Sequence, residues 1–478
     1  MKRRTFLEAT AATLGLPLFS AGAWTRAALV EKTPADGLAA AIRGQIYLPG
    51  SAEYDRKRRG FAADVDLHPA LIVHAANAVD VSTTVRFARD HALPLAVRCG
   101  GHSYAGYNSC EGGIVIDLSG LNALDPSADG RTMRIGGGAL SGHVEEASAR
   151  IGRATALGQC PGVGVGGYLL GGGVGPLMSA YGLGCDNVLA ADIVMADGRA
   201  VTTSSHELPD LFWAIRGGGG NFGVVTSFTV KLHQVTSVLA GYLTYRSPKP
   251  AELLLVLRDL AAAAPNTQTL IATLAPEHDK TFSLSVQLCD AGELAAAQRA
   301  FAPFRRSSLL VSDTVVVQPY LQLEQQVPFD VGSMRRENRG GFIDDLSGAA
   351  IEQLADAVAA APDGNGDITL IHLHGAVTSV ARDATAFPLR QRGFAHNVAA
   401  RWSAASGPGP AAAWVRATAH ALSLFGEGAY VNVMGREDDA AVRAAYVGNY
   451  ERLASVKSKY DPTNLFAINQ NVSPGKAA

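Results

Sequence analysis

The sequence lacks a surplus of either charge: it has 41 lysines and arginines and 43 aspartates and glutamates, and no run of like charge stands out. Nucleic acids and anionic membrane surfaces are bound through concentrated positive charge, so neither is an expected partner. The spacing of metal ligands is lacking too, because the five cysteines include no C-x-x-C pair and no histidine cluster lies near them. The expected partner is a small molecule, and no metal site is predicted.

The chain also lacks an apolar run long enough to cross a bilayer, so no stable membrane insertion is expected. Residues 1–23 are instead predicted to be a signal peptide. The pair Arg3-Arg4 precedes a weakly hydrophobic stretch that ends near Phe19, and Ala21-Gly22-Ala23 fits a cleavage site. The twin arginine favours export by the Tat machinery over an ordinary Sec signal, which places the mature protein in the periplasm or outside the cell. There, an odd number of cysteines leaves at least one free, modified or paired with another molecule.

The length of 478 residues predicts two or three domains. From about residue 67 to 230, short apolar strands alternate with helical stretches and glycines are concentrated. From about 239 to 420, long Ala/Leu helices alternate with strands such as Ile368–His374, which indicates a second α+β domain. A charged helix is expected over Asp438–Tyr460.

A first glycine-rich segment, R-C-G-G-H-S-Y-A-G, runs from Arg98 to Gly106 directly after a predicted strand. Adjacent glycines let successive N–H groups point into one concavity, which can hold a phosphate. Arg98 would add charge there and Ser103 a hydroxyl donor. The residues alone leave a plain turn with a surface histidine equally open.

A second segment, C-P-G-V-G-V-G-G-Y-L-L-G-G-G-V-G, occupies residues 160–175. It contains G-x-G-x-x-G, and Asp186 follows at about the distance of the ribose-binding acid in a Rossmann fold. That fold needs a buried apolar strand immediately before the loop, whereas here the approach is A-T-A-L-G-Q-C-P. We therefore favour a glycine-lined wall against a flat cofactor over an NAD-binding Rossmann loop.

Together with later motifs, these segments resemble the berberine bridge enzyme-like group of the p-cresol methylhydroxylase/vanillyl-alcohol oxidase flavoproteins. The later motifs are D-N-V at 186–188, F-W-A-I-R-G-G-G-G-N-F-G at 212–223, Y-D-P-x-N-x-F at 460–466 and N-Q-N at 469–471. The resemblance implies an α+β fold with a two-subdomain PCMH-type FAD-binding domain over 64–235. It also implies a substrate-binding domain over 236–425, with an antiparallel sheet covered by helices, and a C-terminal segment over 426–475 that returns to the FAD-binding domain.

The resemblance implies FAD attached covalently at two points, through a ring nitrogen of His102 and the sulfur of Cys160. A neutral imidazole and a thiolate are both reasonable nucleophiles toward an oxidised isoalloxazine. For Cys160 the alternative is a buried structural thiol. The other FAD contacts that the resemblance implies are Arg98, Gly100, Gly101, Ser103, Gly162, Val163, Gly164, Gly167, Asp186, Asn187, Val194, Asn221, Gly223, Val225, Asn469 and Asn471.

Two residues carry the expected chemistry. Tyr430 lies in a Tyr-x-Asn segment where the family commonly uses a tyrosinate as the base, although Val433 replaces a second tyrosine that relatives often carry. Val163 stands where a small residue in the family leaves oxygen access to the reduced flavin and a bulkier leucine blocks it. The resemblance therefore implies an oxidase that uses O2 and releases H2O2.

The substrate-facing residues are less defined. His372 and His374 alternate on one predicted strand and so share a face; they are candidates for substrate contact, and a hydrogen-bonded pair inside the sheet is equally open. Tyr104 is a further candidate for the substrate wall. The expected reaction is oxidation of an alcohol-type substrate, with sugars and oligosaccharides among those the family uses. A flavin dehydrogenase with another acceptor and a secreted, non-catalytic flavin-binding protein are the alternatives.

Overall fold

The computed structural model describes residues 34–324, 334–362, 365–403 and 407–475. The predicted signal peptide lies outside these described residues. The helices are α1 Pro34–Ala41, α2 Ala52–Arg58, α3 Ala78–Asp90, α4 Ser141–Ala149, α5 Val165–Leu170, α6 Met178–Tyr181, α7 Pro209–Ala214, α8 Pro250–Ala263, α9 Leu294–Phe301, α10 Tyr320–Glu324, α11 Gly348–Ala359, α12 Ala376–Ser379, α13 Ala411–Leu422, α14 Asp439–Ala445 and α15 Tyr450–Tyr460. The strands are β1 Gln45–Tyr47, β2 Leu71–His74, β3 Leu95–Arg98, β4 Ile114–Asp117, β5 Leu124–Pro126, β6 Thr132–Gly136, β7 Arg153–Ala154, β8 Val188–Val194, β9 Ala200–Ser204, β10 Val224–Lys231, β11 His233–Gln234, β12 Ser237–Ser247, β13 Gln268–Pro276, β14 Phe282–Asp290, β15 Leu310–Asp313, β16 Val316–Pro319, β17 Met334–Ile343, β18 Gly366–Leu373 and β19 Gly393–Ser403.

The first sheet has the order β1-β2-β4-β3, with β2 and β3 parallel to β4 and β1 antiparallel to β2. Helix α3 covers it. The Asn77 side chain accepts hydrogen bonds from the first N–H groups of this helix, and Val81 and Val85 are buried with Ile114 and Ile116 of β4. Strand β1 precedes residue 64, the expected start of the domain.

The second sheet has the order β5-β6-β10-β8-β9 and is antiparallel throughout. The glycine-rich segment 160–175 packs against its core through Val165 and Leu169. Only the two-residue strand β7 lies in the approach to that segment, and β7 pairs with β11 outside the main sheet. A Rossmann loop would follow a buried parallel strand, so the structure excludes that interpretation.

The third sheet is antiparallel and runs β15-β12-β14-β13-β18-β19-β17 across the described residues, with β16 also paired to β12. Helices α8, α11 and α13 cover one face, where a large apolar cluster includes Leu254, Leu354 and Val415. The other face turns toward the N-terminal sheets: Ile371 and Phe342 are buried there with Met178 and Tyr430. This arrangement confirms the α+β fold that the sequence implied.

The C-terminal segment differs from expectation in one respect. The helix predicted over Asp438–Tyr460 is broken into α14 and α15, because Val447 has φ +48°, a left-handed conformation that a right-handed helix cannot contain. The buried Lys457 then fixes the segment, donating to the backbone oxygens of Asn221 (2.7 Å) and Phe466 (2.9 Å) and to the carboxylate of Asp461 (2.7 Å). In the portion of the chain that is described, no helix has the length and apolar character needed to cross a bilayer.

Candidate cofactor and substrate site

The loop that carries His102 leaves the end of β3. Gly101 has φ +73°, and a Cβ there would lie 2.9 Å from the Arg98 Cζ, so the loop folds tightly over that guanidinium. Arg98 Nη1 donates to the backbone oxygen of Arg59 at 2.5 Å, and the Tyr107 N–H donates to Ser103 Oγ at 3.1 Å. These contacts hold the loop that carries His102.

His102 lies in an environment that keeps its imidazole neutral. Its ring stacks on Phe61 with centroids 5.0 Å apart. Burial lowers the pKa of His102 to about 4, and the positive charges of Arg98 and Arg336 act in the same direction. The imidazole is therefore unprotonated at neutral pH.

The two glycine-rich segments touch through their backbones. A Cβ on Gly100 would lie 2.4 Å from the Gly164 nitrogen and 2.6 Å from the Gly162 oxygen, and a Cβ on Gly164 would lie 2.3 Å from Cys99 Sγ. Only glycine permits this approach. The loops of His102 and Cys160 are thus brought together, as the resemblance implied.

The second segment is held in place by the neighbouring helix. Val163 N–H donates to the Cys160 oxygen at 3.0 Å, and the Val163 oxygen accepts from the Ser141 N–H at 2.9 Å. Gly167 lies in α5 and is exposed, and a Cβ there would meet nothing within 4 Å. A wall of backbone therefore faces open space on this side, as a flat ligand requires.

The chain's end joins the same site through Asn221. Its Nδ2 donates to the oxygens of Gly218 (2.9 Å) and Gln470 (3.1 Å), and its Oδ1 accepts from the Val472 N–H (2.9 Å). Asn221 thus positions the predicted contact residues Asn469 and Asn471 and has no amide atom left over. The Oδ1 atoms of both those residues are buried without a hydrogen-bond partner within the described residues.

Asp186 and Asn187 are engaged by protein groups. Arg390 binds both carboxylate oxygens of Asp186, at 2.6 and 2.8 Å, and so joins this segment to the chain that follows β18. Asn187 Nδ2 donates to the oxygens of Tyr181 and Leu183, and its Oδ1 contacts His233 Nε2 at 2.6 Å. Contact of these two residues with FAD stays a prediction. Because their side chains bind protein groups, the contact would be made by their backbone.

Three more predicted contacts lie in the core beside the glycine wall. Val194 and Val225 are buried side chains on the paired strands β8 and β10. Gly223 precedes β10, and a Cβ there would lie 2.7 Å from the Val194 oxygen. These residues shape the backbone of the site, and their direct contact with FAD stays a prediction.

Tyr430 is buried in the apolar cluster between the third sheet and the N-terminal part. Its hydroxyl oxygen accepts hydrogen bonds from the Val174 N–H (3.2 Å) and from Asn432 Nδ2 (3.0 Å). Burial raises the pKa of Tyr430 to about 12, although these hydrogen bonds lower it in part. The two donors stabilise a negative charge on this oxygen, and the role of Tyr430 as the base stays a prediction.

His372 and His374 share a face as predicted, and of the two interpretations left open the structure favours the pair inside the sheet over substrate contact. Ile371 and Leu373 of β18 face Tyr430, so the alternate residues point to the helix-covered side. There the two rings stack 4.1 Å apart, His372 stacks on Phe394, and His374 Nε2 contacts the Gln268 oxygen at 2.7 Å. Burial lowers the pKa of His372 to about 3. These histidines belong to the core of the sheet.

The face of the third sheet that is turned toward the N-terminal part carries a polar row instead. Its side chains are half-buried and adjacent in register across five strands, and they are Thr244, Ser285, Thr273, Thr369 and Asn397. Gln287, on the same face, accepts a hydrogen bond from Gln159, the residue before Cys160. The polar row thus continues to the Cys160 loop, and hydroxyl and amide groups of this kind can bind a hydroxylated ligand.

A cavity of about 300 Å³ adjoins the polar row and the His102 loop. Its lining includes Tyr104, Arg336 and Asn338, and Asn338 Nδ2 donates to Asn397 Oδ1 of the polar row at 3.1 Å. The Arg336 guanidinium lies over the rings of Phe61 (4.0 Å) and Tyr104 (5.4 Å). The sequence had indicated Tyr104; Arg336 and the polar row were missed.

The residues of this site fit a flavin. The neutral His102, the joined glycine loops and the unpaired amide oxygens of Asn469 and Asn471 supply a nucleophilic nitrogen, a flat wall and hydrogen-bond acceptors. No group of three or more His, Cys, Asp or Glu side chains that could hold a metal ion occurs in the described parts of the chain.

Comparison with known proteins points the same way. Residues 69–204 match the family model "FAD binding domain", and residues 429–473 match "Berberine and berberine like". The chain is 32% identical to (R)-6-hydroxynicotine oxidase of Paenarthrobacter nicotinovorans over 451 residues, which cover 91% of this chain and 97% of that protein.

Solved structures agree on the fold. The 6-hydroxy-D-nicotine oxidase of Arthrobacter nicotinovorans superposes with a TM-score of 0.81 at 31% identity, over 91% of this chain and 98% of that one. The xylooligosaccharide oxidase of Myceliophthora thermophila, solved with xylobiose, gives 0.85 at 24% identity, over 93% of this chain and 100% of the other. Berberine bridge enzyme from Eschscholzia californica gives 0.82 at 22% identity, with 93% and 100% covered.

Proposed function

This chain belongs to the berberine bridge enzyme-like FAD-linked oxidoreductases, and from that premise we propose that it is an oxidase with FAD attached to both His102 and Cys160. It oxidises an alcohol-type substrate, a sugar or oligosaccharide among the candidates, and transfers the electrons to O2 with release of H2O2. One observation carries the proposal. The backbones of Gly100 and Gly164 touch, so the loops of the two attachment residues form a single crevice.

The residues around that crevice have separable roles. Bound FAD supplies a two-electron acceptor for a hydride from the substrate carbon. Tyr104 lines the cavity and would hydrogen-bond the reacting hydroxyl, and the polar row would bind further hydroxyl groups. Tyr430 would act as the base, with its oxyanion stabilised by the N–H groups of Val174 and Asn432 that donate to it.

Retention of flavin after denaturation tests the two attachments. We expect wild-type protein to keep its flavin through acid precipitation and denaturing gel electrophoresis. His102→Ala and Cys160→Ala should each keep it through the remaining bond, and the double variant should release it. Matched variants at Cys110 and Cys289, which form no disulfide, should behave as wild type. Flavin that stays bound in the double variant would refute the assignment.

The substrate class is tested by reduction of the flavin. Holoenzyme is mixed without oxygen with xylobiose, chitooligosaccharides, aryl alcohols and 6-hydroxynicotine, and bleaching of the flavin absorbance is followed. The polar row supports the hydroxylated compounds, whereas the 32% identical relative is named for 6-hydroxynicotine. Bleaching by none of the panel would favour the non-catalytic flavin-binding alternative.

The electron acceptor is tested at Val163. A stoichiometric yield of H2O2 in air supports the oxidase, and turnover only with a dye or quinone supports the dehydrogenase. Val163→Leu should slow reoxidation by O2 while it leaves anaerobic reduction by substrate unchanged.

Export through the Tat machinery is also part of the proposal: replacing Arg3-Arg4 by Lys-Lys should retain the protein in the cytoplasm of a bacterial host.

A further inference from the structure

Arg336 is a half-buried cation without a counter-ion in the described chain. No carboxylate oxygen there lies within 4.0 Å of its nitrogens, and its Nε is buried without a hydrogen-bond partner. Its cross-strand neighbour Arg401 is paired with Asp367, so that acid is already engaged. A desolvated charge with no partner is costly to maintain.

The aromatic rings nearby explain how the charge is tolerated. Phe61 and Tyr104 present their faces to the guanidinium, and such contacts offset part of the lost hydration. They also fix its plane, and burial lowers the pKa of Arg336. No hydrogen bond joins the edge of the group to another described residue, and cation–π contacts use only its face, so the edge can receive a ligand.

The other charged residues of the cavity are satisfied or lie at its rim. Arg339 pairs with Glu337 (3.0 Å) and Glu437 (3.1 Å), and Arg436 Nε donates to the Ala105 oxygen at 2.8 Å. Asp64 is exposed at the rim. Arg336 is therefore the cation of this cavity that is free to receive a ligand among its described lining residues.

We propose that Arg336 determines substrate choice by binding a carboxylate on the molecule whose hydroxyl is oxidised. A planar guanidinium and a carboxylate form two parallel hydrogen bonds, which also fixes the orientation of the substrate beside Tyr104 and the polar row. The substrate class is then a hydroxy acid, such as an acidic sugar. This inference rests on the proposed oxidase function and deepens it.

Calorimetry of paired probes tests the inference on the holoenzyme. D-glucuronate is compared with D-glucose, and mandelate with 1-phenylethane-1,2-diol. We expect each acid to bind about ten-fold or more tightly than its neutral partner, since a hydrogen bond to a charged group has that effect. Arg336→Gln should abolish the preference and keep the FAD content, whereas Arg416→Gln, which removes an exposed arginine of α13, should preserve it.

The outcomes separate the inference from the function. Equal binding of acid and neutral probe by the wild type, a preference that survives Arg336→Gln, or loss of FAD from that variant would each overturn the inference. If Arg336→Gln does not fold, Arg336→Lys, which keeps the charge without the planar fork, should retain only part of the preference. If neutral alcohols bleach the flavin as well as acids do, the oxidase function stands and this inference fails. If acids bind in an Arg336-dependent way but bleach no flavin, this inference stands and the oxidase function fails.

Discussion

At the scale of single residues, the contact between Gly100 and Gly164 depends on the absence of two side chains. A Cβ at either position would penetrate the backbone of the other loop, whereas a Cβ at Gly167 would meet nothing. The glycines of the two segments therefore have different structural roles. Gly100 and Gly164 join the loops, and Gly167 keeps the wall open.

We expect Gly100→Ala to destabilise the apoprotein by about 1–3 kcal/mol, because the loops must separate to admit the methyl group. Gly167→Ala, in the short helix α5, should leave the apoprotein as stable as wild type or up to about 1 kcal/mol more stable. Urea unfolding of the two apoproteins measures the difference. Equal losses in both variants would contradict the distinction.

The two tyrosines of the site should also differ. Tyr430→Phe should lower kcat/KM by about a hundred-fold or more, because it removes the proposed base, and should change the pH profile. It also removes the acceptor of the Val174 and Asn432 hydrogen bonds and should cost about 1–3 kcal/mol of stability. Tyr104→Phe, which removes only a hydrogen bond to the substrate hydroxyl, should lower kcat/KM by about ten-fold or less. The opposite ranking in activity would make Tyr104 the base.

The sequence indicated the two glycine loops because glycines this closely spaced are typical of places where backbones must approach each other or a ligand. It left two interpretations of His372 and His374 open, since a strand that is largely buried on both faces does not show which face meets the substrate. Arg336 and the polar row could not be identified from the sequence, because threonine, serine and arginine are common on any exposed face of a strand. Thr369 and Ile371 share the face of the strand opposite to His372, and the sequence shows that much. Which of the two faces meets the N-terminal part follows only from the order of the strands in the sheet.

At the scale of elements, the Asp186–Arg390 pair joins the segment before β8 to the chain that follows β18. Both side chains are buried, with 9% and 2% of their surfaces exposed. The strand predicted over Ile368–His374 is observed at Gly366–Leu373. The break at Val447 was not predictable, because valine carries no preference for a left-handed conformation.

We expect Asp186→Asn to destabilise the protein by about 3–5 kcal/mol, since Arg390 loses its buried counter-charge. Glu451→Gln, in an exposed pair with Arg443, should cost about 1 kcal/mol or less. Urea unfolding measures both variants. Unchanged stability together with loss of FAD from Asp186→Asn would instead support the cofactor contact.

At the scale of the whole molecule, the buried histidines of the third sheet link its stability to pH. Burial lowers the pKa of His372 to about 3 and of His396 to about 4, both below the unfolded value near 6.5. Such groups stabilise the fold above pH 6.5. That stability is lost as the pH falls from 6.5 toward 4, because the unfolded chain binds the protons.

Between pH 7.5 and pH 4 we expect the unfolding free energy to fall by about 1–3 kcal/mol for each of these histidines. His396→Gln should therefore have a shallower pH dependence than wild type, whatever its stability at pH 7.5. Urea titrations at several pH values measure the slope. A variant with the wild-type slope would show that His396 does not contribute.

The docking of the C-terminal segment has a consequence for biosynthesis. Asn469 and Asn471 take their positions only after Lys457 and Asn221 have bound the segment that carries them. A nascent chain halted before residue 457 therefore has an incomplete flavin pocket. Attachment of the prosthetic group should follow synthesis of this segment, and truncation after α14 should yield colourless protein.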